Sequence, residues 1–163
     1  MALVPARRRG GFTLLEVLIA VLVLSIGLLG LAGLQTHSLK NNNGALMRSQ
    51  AIVLAYDALD MMRANREQAL KGSGSAYQVP FDDSVSAVSC ARCSSAQQAQ
   101  NDVASWRERI QALGLPSGEG EILLASGGSA GGGVKVTVRV RWDDDRDGSN
   151  AGGHEQVLVE SLL

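Results

Sequence analysis

The chain has 163 residues, 15 basic and 16 acidic side chains, a formal net charge of −1 and two cysteines. That length suits one small domain plus a helical extension, and the charge balance gives no electrostatic footprint for nucleic acid. Two histidines far apart, and serines with no base at a recognisable spacing, argue against hydrolase chemistry.

Residues 12–34 are apolar apart from Thr13, Glu16 and Ser25. As a helix they rise about 34 Å, enough to cross a hydrocarbon core roughly 30 Å thick. Arg7, Arg8 and Arg9 stand just before them. Basic residues beside a span are held on the cytoplasmic side, so the N-terminus is expected inside and the remainder exported. An ordinary secretory signal is cut at small residues after its apolar region. Here nothing like Ala-x-Ala follows Leu34, and the small residues, Gly10 and Gly11, precede the apolar run. Glu16 is the second oddity, because a carboxylate inside such a segment costs roughly 3 kcal/mol on insertion scales and normally has a partner. A chain cut after Gly11 carries a free ammonium on Phe12.

Residues 7–16, Arg-Arg-Arg-Gly-Gly-Phe-Thr-Leu-Leu-Glu, resemble the type IV prepilin signature: a basic leader, a glycine before the cut, an aromatic first mature residue and a glutamate at the fifth mature position. The resemblance implies cleavage between Gly11 and Phe12 by a prepilin peptidase, N-methylation of Phe12, and pairing of Glu16 with the N-terminal amine of a neighbouring subunit during assembly. A buried carboxylate is tolerated when an opposite charge neutralises it, which penalises misplaced subunits. The alternative is a plain signal anchor in which Glu16 snorkels to the interface. The implied fold is α+β, the pilin fold, with a long N-terminal helix packed on a small antiparallel sheet. Its divisions are a leader at residues 1–11, a membrane-spanning and assembly half of the helix at 12–34, an amphipathic half at 35–71 and an exported head at 72–163. Removing the leader takes three of the 15 basic residues, leaving 12 against 16 acidic, a formal −4.

Along the apolar helix, Gly27, Gly30 and Gly33 fall near one face. Each weakens a helix by about 1 kcal/mol relative to alanine, and together they either admit a neighbouring helix closely or reflect the general frequency of glycine in membrane helices. The polar run 40–44, Lys-Asn-Asn-Asn-Gly, is expected to bend or loosen the helix. From 45 to 67 the pattern is amphipathic, with Ile52, Ala55, Leu59 and Met62 on one stripe and Ser49, Asp57, Asp60 and Glu67 mostly off it. Residues 71–75, Lys-Gly-Ser-Gly-Ser, are breakers.

Residues 76–95 read as irregular and contain Cys90-Ala-Arg-Cys93. In an exported chain with no third cysteine this favours a disulfide between Cys90 and Cys93. A redox pair at a helix N-terminus is the other reading, and zinc would need the distant His37 and His154. Ser94 or Ser95, with Gln97 or Gln98, offers a capping box for the next helix. That helix, 99–113, presents Val103, Trp106, Ile110 and Leu113 inward and ends at Gly114 and Pro116.

The remainder reads as β-structure. A short strand is expected at 121–126, then a glycine-rich connection at 127–133 that lacks the sequence of a phosphate loop. Residues 134–142 alternate strictly, placing Val134, Val136, Val138, Val140 and Trp142 inward and Lys135, Thr137, Arg139 and Arg141 outward. A last strand spans 155–162, with Val157 and Val159 on one face. Between these strands, Asp143, Asp145, Asp147 and Gly148 match the first half of a calcium loop, while its twelfth position is His154 and the glutamate comes one residue late at Glu155. The competing reading is a solvated acidic turn opposed by Arg139, Arg141 and Arg146.

Outside the signature, the Cys-x-x-Cys leading into a Trp-containing helix and the Trp142-Asp-Asp turn are similar to minor pilins of the PilV type. That similarity implies a low-abundance, non-enzymatic subunit that joins other minor pilins and the major pilin in priming pilus assembly, at the filament tip, with adhesion and twitching motility downstream. The residues themselves call for no cofactor, calcium at Asp143, Asp145 and Asp147 being the alternative. Its partners are the prepilin peptidase, other pilins and inner-membrane lipid before assembly, with no nucleic acid. The expected location is the inner membrane, N-terminus cytoplasmic and head periplasmic, and then the extracellular pilus. A minor pseudopilin of a type II secretion system is the runner-up, and a redox or calcium-dependent binding protein on a pilin-like anchor is a third class.

Overall fold

The computed structural model of the chain describes residues 11–126, 133–143 and 154–163. It divides into two compact units, Met1–Asn43 and Gly44–Leu163, and the long helix α1, Leu14–Ala64, contributes to both.

In the first unit α1 exposes its apolar side chains all round, and it is long and apolar enough to cross a membrane. Its few hydroxyls are satisfied within the helix. Ser25 Oγ donates to the Val21 carbonyl at 2.7 Å and Thr36 Oγ1 to the Ala32 carbonyl at 3.0 Å, so neither enters an apolar medium with an unpaired donor. Residues 40–44, expected to bend or loosen the helix, are helical throughout. Asn costs less than about 1 kcal/mol in a helix and Gly about 1 kcal/mol, and helical segments on both sides carry the run through.

In the second unit α1 buries Met47, Ala51, Leu54, Ala55, Ala58, Leu59 and Met62. Three of these are alanines, so the buried stripe is set by how closely the helix approaches its neighbours rather than by hydrophobic bulk. Ile52, expected on the stripe, is one position out of phase and 39% exposed. The helix also stops at Ala64, short of the expected residue 71. Asn65 leaves helical geometry, with φ −115° and ψ 56°, and its side-chain amide donates to the Ser95 carbonyl at 2.7 Å. One further turn, α2 (Arg66–Ala69), and a 3-10 turn at Gly72–Gly74 follow.

Helix α3 spans Ser95–Ala112 and is opened by a complete capping box between Ser94 and Gln97. It buries Val103, Trp106 and Ile110. Leu113, expected with them, is the C-cap and is 46% exposed. The chain reverses there through Gly114 at φ 76°, and Leu115 goes inward instead.

Strands β1 (Glu119–Ser126), β2 (Val134–Trp142) and β3 (Glu155–Leu162) form an antiparallel sheet in that order. The β1–β2 register sets Ile122 opposite Val138, and the β2–β3 register sets Val138 opposite Val159. All five inward residues of β2 are buried as the alternation required, and they join the α1 and α3 stripes in one core with Tyr77 and Val79. β1 begins at Glu119, two residues before the expected 121, and α3 lies on the strand at Gly120. A Cβ there would stand 2.5 Å from both Ile110 Cδ1 and Trp106 Cη2. The segment before α3 is irregular as expected, except that Val79 bridges Ile122 at the β1 edge.

Candidate processing and assembly site

At the start of α1, Gly11, Phe12 and Thr13 precede the first helical residue, Leu14, and Phe12 is 84% exposed. The helix begins where it does because Thr13 caps it. The Glu16 N–H donates to the Thr13 hydroxyl at 3.3 Å and to the Thr13 carbonyl at 3.1 Å. Thr13 is thus the N-cap and Glu16 the third helical residue, the Thr-x-x-Glu spacing of a capping box. The signal for Thr13 is local: it stands three residues before Glu16 at the start of the apolar run. Glu16 itself is exposed, on a helix whose neighbouring side chains are Leu, Val and Ile, and no cation pairs with it among the described residues.

In the head, Cys90 and Cys93 form a disulfide. Asn101 on α3 holds this loop: its Oδ1 accepts from the Val88 N–H at 2.7 Å, its Nδ2 donates to the Val88 carbonyl at 3.0 Å, and both sulfurs lie 3.8 Å from that nitrogen. A second clamp is Arg107. Its guanidinium donates to the carbonyls of Gly120 (3.1 and 3.0 Å), Pro80 (2.6 Å) and Asp83, tying the segment before α3 to β1. Burial lowers the Arg107 pKa from its ordinary value, opposed by Asp83, Glu119 and Glu121. Phe81 in the clamped segment lies under the Arg141 guanidinium, 3.9 Å from the ring centre. Neither Asn101 nor Arg107 had a sequence signal, since the partners are irregular backbone.

Asp143 is buried, and its N–H donates to the Pro116 carbonyl at 2.8 Å. The other proposed calcium-loop residues, Asp145 and Asp147, lie outside the described residues. Among the described residues no group of three or more His, Cys, Asp or Glu is placed to hold a metal ion.

Two family models match the chain. The prokaryotic N-terminal methylation motif covers residues 6–32, the stretch containing Gly11, Phe12, Thr13 and Glu16, and the type IV pilin Tt1218 model covers residues 33–104. The chain is a type IV prepilin-like protein. No curated protein and no solved structure gives a significant match. The second pilin match ends inside α3, so the sheet of this pilin is known from its own structure. Its long helix and three-stranded antiparallel sheet make the α+β arrangement of a pilin. The family is one of structural subunits, and the apolar helix with its methylation motif fits a membrane-anchored pilin later carried in a filament.

Proposed function

We propose that this pilin is a minor subunit of a type IV pilus. A prepilin peptidase cuts between Gly11 and Phe12, Phe12 is N-methylated, and the head is held in the periplasm until the helix is drawn into the filament. There the subunit joins other minor pilins and the major pilin in the complex that initiates assembly and occupies the tip, so that adhesion and twitching motility depend on it. The observation that carries this reading is Glu16: a single carboxylate in an otherwise apolar stretch of helix, four residues beyond the new chain end at Phe12. In lipid that charge is costly alone, and the ammonium of an adjacent subunit is the partner that an ordered stack of such helices supplies. The disulfide between Cys90 and Cys93 serves the head structurally.

The test is Glu16→Val. The variant is expected to enter the membrane at least as well as the parent chain and to be absent from sheared pili, because the interaction it loses lies between subunits. Incorporation at the normal level contradicts the pairing. A deletion strain that twitches normally yet fails to release exoproteins transfers the subunit to a type II secretion system.

A further inference from the structure

We infer that Thr13 is a positioning residue for leader removal: by capping α1 it stops the helix at Leu14 and keeps the Gly11–Phe12 peptide out of helical geometry. The inference rests on the processing proposed above. Hydrolysis there adds one water across the peptide, leaving a carboxylate on Gly11 and an amine on Phe12. A peptide inside a helix has its carbonyl engaged with an N–H one turn on and its flanks covered by side chains, so a peptidase must unwind it first. Here that work is already done. Gly11 and Phe12 are non-helical and exposed, while Glu16, only four residues beyond Phe12, is already hydrogen-bonded to the Thr13 hydroxyl at 3.3 Å.

The helix that runs on from Leu14 would otherwise propagate toward the leader, because extending an existing helix is far easier than starting one. Two features oppose this at adjacent positions. Gly10 and Gly11 are poor helix residues, and the Thr13 hydroxyl replaces the turn of helix that would have satisfied the first N–H groups. Thr13 takes no part in breaking the bond; it fixes where the helix begins.

The experiment uses the full-length chain in detergent micelles with a purified prepilin peptidase, comparing Thr13→Ala, Thr13→Ser and Thr13→Asn. Alanine cannot cap the helix, so the non-helical form of the Gly11–Phe12 peptide loses the roughly fivefold advantage an N-cap is typically worth; the cleavable population falls and KM rises, by up to about fivefold, with kcat unchanged. Serine and asparagine both restore the parent KM, although asparagine shares little of threonine's shape. In the alanine variant the Cα chemical shifts of Gly11 and Phe12 move toward helical values. Cleavage of the alanine variant at the parent KM, or an asparagine variant as poor as alanine, overturns the inference while leaving processing intact. Failure of the parent chain to be cut between Gly11 and Phe12 overturns the processing reading and this inference with it.

Discussion

The indole N–H of Trp106 donates to the backbone carbonyl of Leu54 at 2.8 Å, a contact made across 52 residues of sequence and wholly buried. It fixes α3 on the second half of α1, and the ring edge then fills the space that Gly120 leaves on β1. One side chain therefore joins α1, α3 and β1 in the second unit.

Trp106→Ala is expected to lower head stability by about 3–5 kcal/mol, the range for removing a large buried aromatic. Trp106→Phe keeps most of the packing and gives up the hydrogen bond, a loss of about 1 kcal/mol beyond the volume change. Gly120→Ala forces a methyl into the Trp106 and Ile110 side chains and costs about 1–3 kcal/mol. Urea unfolding of the unit Gly44–Leu163, followed by circular dichroism, ranks the three. A Gly120→Ala head as stable as the parent contradicts the close approach.

Arg107→Lys should fail to replace arginine. The planar fork reaches three carbonyls at once, whereas an ammonium is a point donor on a flexible stem. The expected loss is about 1–3 kcal/mol, with faster amide exchange concentrated in the segment containing Phe81 and Asp83. Equal exchange in the lysine variant contradicts the clamp.

Tyr77 gives the head a dependence on alkaline pH. Its buried hydroxyl donates to Asp102 Oδ2 at 2.6 Å, and the Met61 carbonyl oxygen lies 3.2 Å from the same phenol oxygen. Burial first, and the Asp102 carboxylate second, push the phenol above its ordinary value. Folding thus favours the protonated phenol. This contribution is complete below the unfolded-chain value of about pH 10, and it is lost as pH rises above that because the unfolded phenol gives up its proton first. Tyr77→Phe should flatten the fall in stability above pH 10, while Gln98 continues to donate to Asp102 Oδ1 at 2.7 Å. An unchanged alkaline slope contradicts the assignment.

The disulfide closes a very short loop, so its removal is expected to cost no more than about 2 kcal/mol on loop-closure grounds. Asn101 grips Val88 and the Ser94–Gln97 box caps α3 without the sulfurs' help. A Cys90→Ser, Cys93→Ser double variant should therefore keep the helical signal of the head. The parent head should show no turnover as a thiol–disulfide exchange catalyst. Rapid reduction coupled to such turnover overturns the structural role of the pair.

What the sequence made legible was whatever repeats. Strict alternation over 134–142 gave the faces of β2 residue by residue, and the spacing of Val103, Trp106 and Ile110 gave the buried side of α3. Phase and ends were harder. Ile52 looked a better core residue than Ala51, because hydrophobicity says nothing about how closely two elements approach. Gly120 carries no pattern signal of its own, its missing side chain being what the approach of α3 requires. Asn65 ends α1 by bonding to Ser95, a partner 30 residues away that no local pattern reveals. At the N-terminus, cut site, basic flank and Glu16 were visible together, whereas Thr13 was hidden inside the same signature as one more small polar residue.

The most direct measurement is the intact mass and N-terminal sequence of the chain recovered from the membrane and from sheared pili of the cells that make it. The account predicts a chain that starts at Phe12, carries one added methyl on that residue, and is present in both fractions. A chain that still begins at Met1, with Arg7, Arg8 and Arg9 attached, contradicts it.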